Sequence, residues 1–284
     1  MIFKTGLIFL ALTMLIIQPT MAEPKKPEWR SPEVEKIVKA QRQAILDEIK
    51  TLDHHEWAGS YYQGDGLGAN ITLELAPKSG FTYEWHGCVG LYDRNYGKLK
   101  WKGEQLQLQF VQKNEDQGYF GIAQNLIPIS WGARQYLVSP EEMMAFINTV
   151  NQGREPRMRP HGRFLLRRGD ELKRVAGLPT LPKKYRRYLL ARPIHAKIIS
   201  VGQPTSHSVG FGLMGKKVKV TIDAGAKQGV WEEMEFFSSG PQRIPGGTFR
   251  VTKVEDNRSE GIVELIIEGR PGPEVGWQLS TLAP

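Results

Sequence analysis

Seven basic side chains stand in two short runs, Arg154, Arg157 and Arg159 around Pro156 and Pro160, then Lys183, Lys184, Arg186 and Arg187 around Tyr185. A guanidinium fork matches phosphate and carboxylate, so the chemistry these runs offer is anion binding. From Arg154 to Arg192 there are thirteen Lys or Arg against three acids, a net charge of +10 in 39 residues. The competing use of such a run is a solvated linker whose charge aids solubility.

The other groups that could do chemistry are sparser. Asp53-His54-His55-Glu56 holds four metal-ligand types, but neighbouring residues point apart and no second cluster completes a coordination shell. His86 and Cys88 are two apart, so a strand would aim both to one face; the ordinary alternative is a packed Cys beside a surface His. Ser206-His207 with Asp223 lacks any nucleophile-elbow context, and adjacent Ser and His do not hydrogen-bond in the geometry that catalysis needs. Gly64-Asp-Gly-Leu-Gly-Ala lies between two strand patterns, so it reads as a hairpin loop, not a phosphate loop at a helix start. No metal, cofactor or catalytic residue is expected. Aromatic residues concentrate between Trp57 and Phe164, and alternation would send Trp57, Tyr61, Trp85, Trp101 and Trp131 towards a pocket or an aromatic core.

These groups need a scaffold, and composition bounds it. The chain has 284 residues, 40% hydrophobic and 24% charged, with 30 Gly, 18 Pro and one Cys. That excludes whole-chain disorder, a collagen, a multi-span membrane protein and a disulfide framework. Lys4, the uncharged run Gly6–Ile17 and Thr20-Met21-Ala22 form a secretory signal pattern, with cleavage expected after Ala22. The run is too short to span a bilayer, so no transmembrane anchor is expected after cleavage. Removing residues 1–22 takes one Lys and no acid from the net +8 and leaves +7. The expected location is periplasmic or secreted.

Residues 23–55 read as a Pro-rich leader followed by an amphipathic helix. Ser31-Pro32-Glu33 is a helix start, and Val34, Ile37, Val38, Ala44, Ile45 and Ile49 recur at helical spacing to about Thr51, with Gln41 in the same row. From Trp57 the period changes to two. Trp57–Tyr62, Ile71–Leu75, Phe81–Trp85, Lys98–Trp101 and Leu106–Phe110 alternate between turn-rich segments, which predicts an antiparallel meander or barrel over 56–175. Ser139-Pro140-Glu141-Glu142 caps one inserted helix that ends near Gly153, and Gly162–Gly169 closes the unit. Residues 176–193, with three prolines and a basic run, read as a linker. Residues 194–284 hold six further strand patterns and predict a second small β-barrel. The fold class is mainly β, of α+β type.

Two resemblances carry further implications. Trp57-Ala-Gly-Ser-Tyr at the head of a meander resembles the opening strand of lipocalin-like barrels, in which a Trp plugs the closed end and a cup holds a small apolar ligand. Val218–Phe236, Gly247–Val254, Ser259–Leu265 and Pro273–Ser280 together resemble the small β-barrel of flagellar assembly T protein C-terminal regions and of rod-shape-determining C proteins. In those patterns a Gly usually precedes the Met, where Glu233 stands here. Such barrels are non-catalytic parts of envelope assemblies. The whole chain is similar to a class of uncharacterised secreted bacterial two-domain proteins.

The expected function is therefore a non-enzymatic binding or scaffold component of the cell envelope. Its partner would be an anionic envelope surface or an envelope protein, not nucleic acid. The alternative is a lipocalin-like carrier of a small apolar ligand, and a hydrolase comes third. A packed barrel with an exposed basic face favours the scaffold, and an open aromatic cavity favours the carrier.

Overall fold

The computed structural model describes residues 28–53, 55–64, 66, 68–114, 121–156, 164–210, 213–239, 248–265 and 272–284. The signal pattern of residues 1–22, Arg157, Arg159 and His54 lie outside them. Helix α1 (Pro32–Thr51) starts where its sequence requires: the Ser31 hydroxyl accepts the Val34 N–H at 3.2 Å, and Glu33 and Glu35 sit at the positive end of the helix dipole.

Eight strands follow: β1 (Gly59–Gly64), β2 (Ala69–Ala76), β3 (Gly80–Gly87), β4 (Gly90–Lys102), β5 (Gln105–Phe110), β6 (Asn125–Trp131), β7 (Arg134–Val138) and β8 (Phe164–Arg167). Each pairs antiparallel with the next, and β8 returns to β1, so the meander closes into a barrel without edges. The register sets Tyr61 opposite Leu73, Leu73 opposite Tyr83, and Leu99 opposite Leu108. These side chains point inward and, with Leu75, Phe81, Trp85, Leu106, Leu126, Leu137 and Leu165, fill the barrel.

Helix α1 lies against the outside of β2, β3 and β4. Val34 and Val38 bury themselves on Tyr96, and Arg42 reaches the buried Glu74 at 2.7 Å. The polar member of the apolar row, Gln41, explains itself here. Its Nε2 lies 3.0 Å from Ser79 O, 3.2 Å from Phe81 O and 2.8 Å from Gly97 O. Gly80 makes room for this: at φ +82° it takes a left-handed conformation, and a Cβ there would stand 2.1 Å from the Gly97 oxygen. Replacing Gln41 by Leu leaves those carbonyls without their donor under the helix, at a cost of about 1–3 kcal/mol. Faster hydrogen exchange confined to α1 is the expected signature; unchanged exchange there would refute this docking role.

Strands β6, β7 and β8 are apolar on both faces. Outward from them point Ile127, Ile129, Trp131, Tyr136, Val138, Phe164 and Leu166. Helix α2 (Met143–Asn151), inserted between β7 and β8, covers this outer face, and the Phe146 ring meets Tyr136 and Phe164 edge-on, each at 5.4 Å between centroids. The Ser139 hydroxyl accepts the Glu142 N–H at 3.3 Å as the sequence predicts, but the first turn (Pro140–Glu142) is the tighter 3₁₀ form.

The second barrel is built from β9 (His195–Val201), β10 (Thr205–Gly210), β11 (Leu213–Ile222), β12 (Glu235–Ser239), β13 (Thr248–Val254), β14 (Ser259–Leu265) and β15 (Gln278–Ser280). Its closed circuit runs β11-β14-β13-β12-β15-β9 and back to β11, while β10, among the described residues, pairs with β11 alone. Val218, Val263, Phe249 and Phe236 form one cross-strand row in its core. Glu233 takes φ +72°, the only described non-glycine residue in the left-handed region, at the position where the resembling barrels usually have Gly. The mainly β architecture with two closed barrels and an N-terminal helix thus agrees with expectation.

Candidate functional site

One apolar cluster joins the two barrels: the outer face of β6–β8 and α2 on one side, and Ile194, Ile198, Val230, Trp231, Met234 and Phe236 among others on the other side. Polar bonds frame it. Asn148 Nδ2 donates to Glu233 O at 2.9 Å, Gln152 Nε2 to Glu235 Oε2 at 2.9 Å, and Asn151 Nδ2 to Tyr188 O at 2.9 Å. The Leu190 N–H returns a bond to Asn151 Oδ1 at 2.9 Å.

The segment 176–193 is seated on this junction. Leu181 is buried in the shared cluster, and Tyr185, Tyr188, Leu189 and Leu190 pack against it. The Tyr188 ring meets Trp231 at 5.3 Å, and the Trp131 indole N–H donates to Gly177 O at 2.8 Å. Within the segment the short helix α3 (Lys183–Arg186) interrupts the chain. Its residues divide by polarity: the apolar members are anchored, and Lys183, Lys184, Arg186 and Arg187 are exposed. Arg186 Nε is held by Leu181 O at 2.8 Å, and Arg187 lies over the Tyr188 ring at 4.7 Å. None of the four makes an ion pair with a described residue. Arg154 joins the same end of α2, three residues past Asn151, with its guanidinium 5.3 Å from the Phe237 ring centroid. Five of the seven basic residues singled out from the sequence are therefore fixed beside one junction, and Arg157 and Arg159 lie outside the described residues.

The aromatic candidates separate into three environments. Tyr61 and Trp85 are inside the first barrel. Trp57 packs against the barrel core and stacks on the half-exposed Trp101 at 6.3 Å. Trp131 faces the other way, into the junction between the barrels. The Tyr61 hydroxyl donates to Trp57 O at 3.0 Å, and Arg167 Nη2 donates to that hydroxyl at 3.2 Å and to His55 O and Glu56 O at 3.0 Å each. Burial pushes the Tyr61 phenol up to about 12, against the opposing pull of the Arg167 charge. The Tyr83 hydroxyl donates to Gly121 O at 2.8 Å, and burial raises its pKa well above the ordinary tyrosine value, with nearby Asp93 adding to the effect.

The remaining motifs resolve as local structure. His55 Nδ1 accepts the backbone N–H of Ala58 at 3.1 Å and turns the chain into β1. Cys88 is exposed, not packed, because Cys88 and Val89 form the two-residue turn between β3 and β4 and lie on no strand face. His207 Nε2 sits 2.6 Å from Glu264 Oε1, whereas Asp223 Oδ1 accepts the Lys197 N–H at 2.6 Å, so Ser206, His207 and Asp223 are not one constellation. Gly64 and Gly66 belong to the hairpin between β1 and β2, where Asn70 Oδ1 accepts the Gly66 N–H at 3.0 Å. Among the described residues no three His, Cys, Asp or Glu side chains gather as a metal site, and no helix is long and apolar enough to cross a membrane. Sequence reasoning passed over Arg167 and Arg168, whose only signal was adjacency inside the basic stretch. Comparison with protein-family models, with curated proteins and with solved structures gives no match in any of the three.

Proposed function

We propose that this chain is a non-enzymatic binding or scaffold component of the bacterial cell envelope, acting outside the cytoplasm and docking on an anionic lipid surface through Lys183, Lys184, Arg186, Arg187 and Arg154. The observation that carries this reading is the division within 176–193. Anchored Leu181, Tyr185 and Tyr188 carry four exposed cations that make no ion pair with a described residue, at the junction of the barrels. Cations carried on an anchored stretch of backbone lose less chain freedom on binding than those of a free linker. Each contributes about 1 kcal/mol near an anionic leaflet, decaying over a Debye length of about 8 Å at physiological salt. The filled interior of the first barrel favours this reading over a ligand carried inside it.

Sedimentation with phosphatidylglycerol vesicles tests it. Binding at low salt, lost at high salt and absent from phosphatidylcholine vesicles, is the expected result. The triple replacement Lys183→Gln, Lys184→Gln, Arg187→Gln should weaken binding at least tenfold with an unchanged melting temperature; Arg186 is retained because its Nε bonds Leu181 O. No binding at low salt, or equal binding by the triple variant, refutes the reading.

A further inference from the structure

A second site lies where the C-terminal end of α1 meets the β1–β8 closure of the first barrel. A cleft of about 330 Å³ opens there. One wall is aliphatic, made by Leu46 and Ile49 of α1 and by Leu52 just past its end; the facing wall is the start of β1 at Gly59 and Ser60. Its polar side chains are His55, Ser60, Arg167 and Arg168, and among the described residues no acidic side chain lines it.

The two arginines are not neutralised elsewhere. Arg168 is exposed, lies 4.6 Å from the Tyr62 ring centroid and donates to Thr72 Oγ1 at 3.1 Å, with no ion pair to a described residue. Arg167 spends Nη2 on the His55 and Glu56 carbonyls and the Tyr61 hydroxyl, and its buried Nε–H has no partner among the described residues. A cleft lined by two guanidinium groups, with no acidic side chain among its described lining residues, is electrostatically complementary to an anion. The aliphatic wall asks for an apolar group attached to that anion. A volume near the lower end of the usual range for small-molecule sites, about 300–1,000 Å³, fits one chain and not two.

We infer that this cleft binds a single-chain amphiphile with an anionic head, its chain along Leu46, Ile49 and Leu52 and its carboxylate or phosphate at Arg167 and Arg168. The site is independent of the proposed docking surface, since it uses α1 and β1 and none of residues 183–187.

Isothermal titration of the full chain with sodium laurate and with dodecyl phosphate, both below their micelle concentrations, tests the inference. Both should bind with one site per chain, and dodecyltrimethylammonium should bind at least tenfold more weakly. Laurate the tighter of the two identifies a fatty-acid head, and dodecyl phosphate the tighter identifies a phospholipid-derived one. Arg168→Glu reverses an exposed charge and should weaken both at least tenfold; Ser60→Phe fills the cleft from the β1 wall and should do the same. The Lys183, Lys184 and Arg187 triple variant should bind both amphiphiles as the parent does, which separates this site from vesicle docking. Absence of binding, equal binding of the cationic amphiphile, inorganic phosphate binding as tightly as dodecyl phosphate, or two folded variants that bind like the parent each overturn it.

Discussion

Replacing Phe146 by Ala should destabilise the whole chain by about 3–5 kcal/mol, the usual cost of deleting a buried aromatic ring. Phe146 is fully buried on α2 and makes two edge-on contacts, with Tyr136 of β7 and Phe164 of β8. Its cluster continues without a break into Trp231, Met234 and Phe236 of the second barrel. The loss should therefore appear in both barrels. A fall in Tm of roughly 6–20 °C follows from roughly 2–4 °C per kcal/mol for chains of 150–250 residues, with fluorescence and far-UV signals moving together. Two separate transitions, with only the first barrel's displaced, would show that the shared cluster does not couple them.

The next largest effect is expected at Arg134. This side chain is 5% exposed as a residue, and its guanidinium donates to Lys173 O at 2.6 Å, Glu155 Oε2 at 2.6 Å and Glu171 O at 3.2 Å. It ties the end of the α2 segment to the loop after β8. Arg134→Met strands a carboxylate and two carbonyls, and removing one partner of a buried pair costs about 3–5 kcal/mol. The Glu155 side chain keeps 31% exposure, so the expected loss is lower, about 3 kcal/mol. Adding Glu155→Gln to Arg134→Met should recover roughly 1 kcal/mol, because the stranded charge is gone. Chemical denaturation of the four proteins of this cycle measures it, and an additive cycle would assign the loss to the carbonyl bonds alone.

Local grammar made much of the fold legible. The α1 boundaries follow from Ser31 and Pro32, and the first five strands follow from alternation, because one face of each meets the barrel core and the other meets water or a helix. Strands β6 and β7 escaped because Leu126-Ile-Pro-Ile and Tyr136-Leu-Val carry apolar residues on both faces: one set fills the barrel, the other meets α2 and the second barrel. Strand β10 escaped for the opposite reason, since Thr205-Ser-His-Ser, which pairs with β11, is polar throughout. Lys183–Arg187 was visible as charge, but the anchoring of its apolar neighbours was not, since a Tyr or Leu among prolines does not announce what it packs on. Arg167 drew no attention because its role depends on a turn more than 100 residues earlier in sequence.

The apolar outer face of β6–β8 also has a kinetic side. Once residue 167 has left the ribosome, the first barrel possesses all eight strands and can close. The seam on which α2 rests nevertheless lacks part of its cover, because Trp231, Met234, Phe236 and their neighbours belong to chain still to be made. During that interval a surface bearing Ile127, Ile129 and Trp131 is incompletely shielded, and incompletely shielded apolar surface is what chaperones hold and what aggregates when they are absent. The order of synthesis thus makes the second barrel the late guardian of the first, and premature termination between β8 and Trp231 would yield a closed but sticky intermediate.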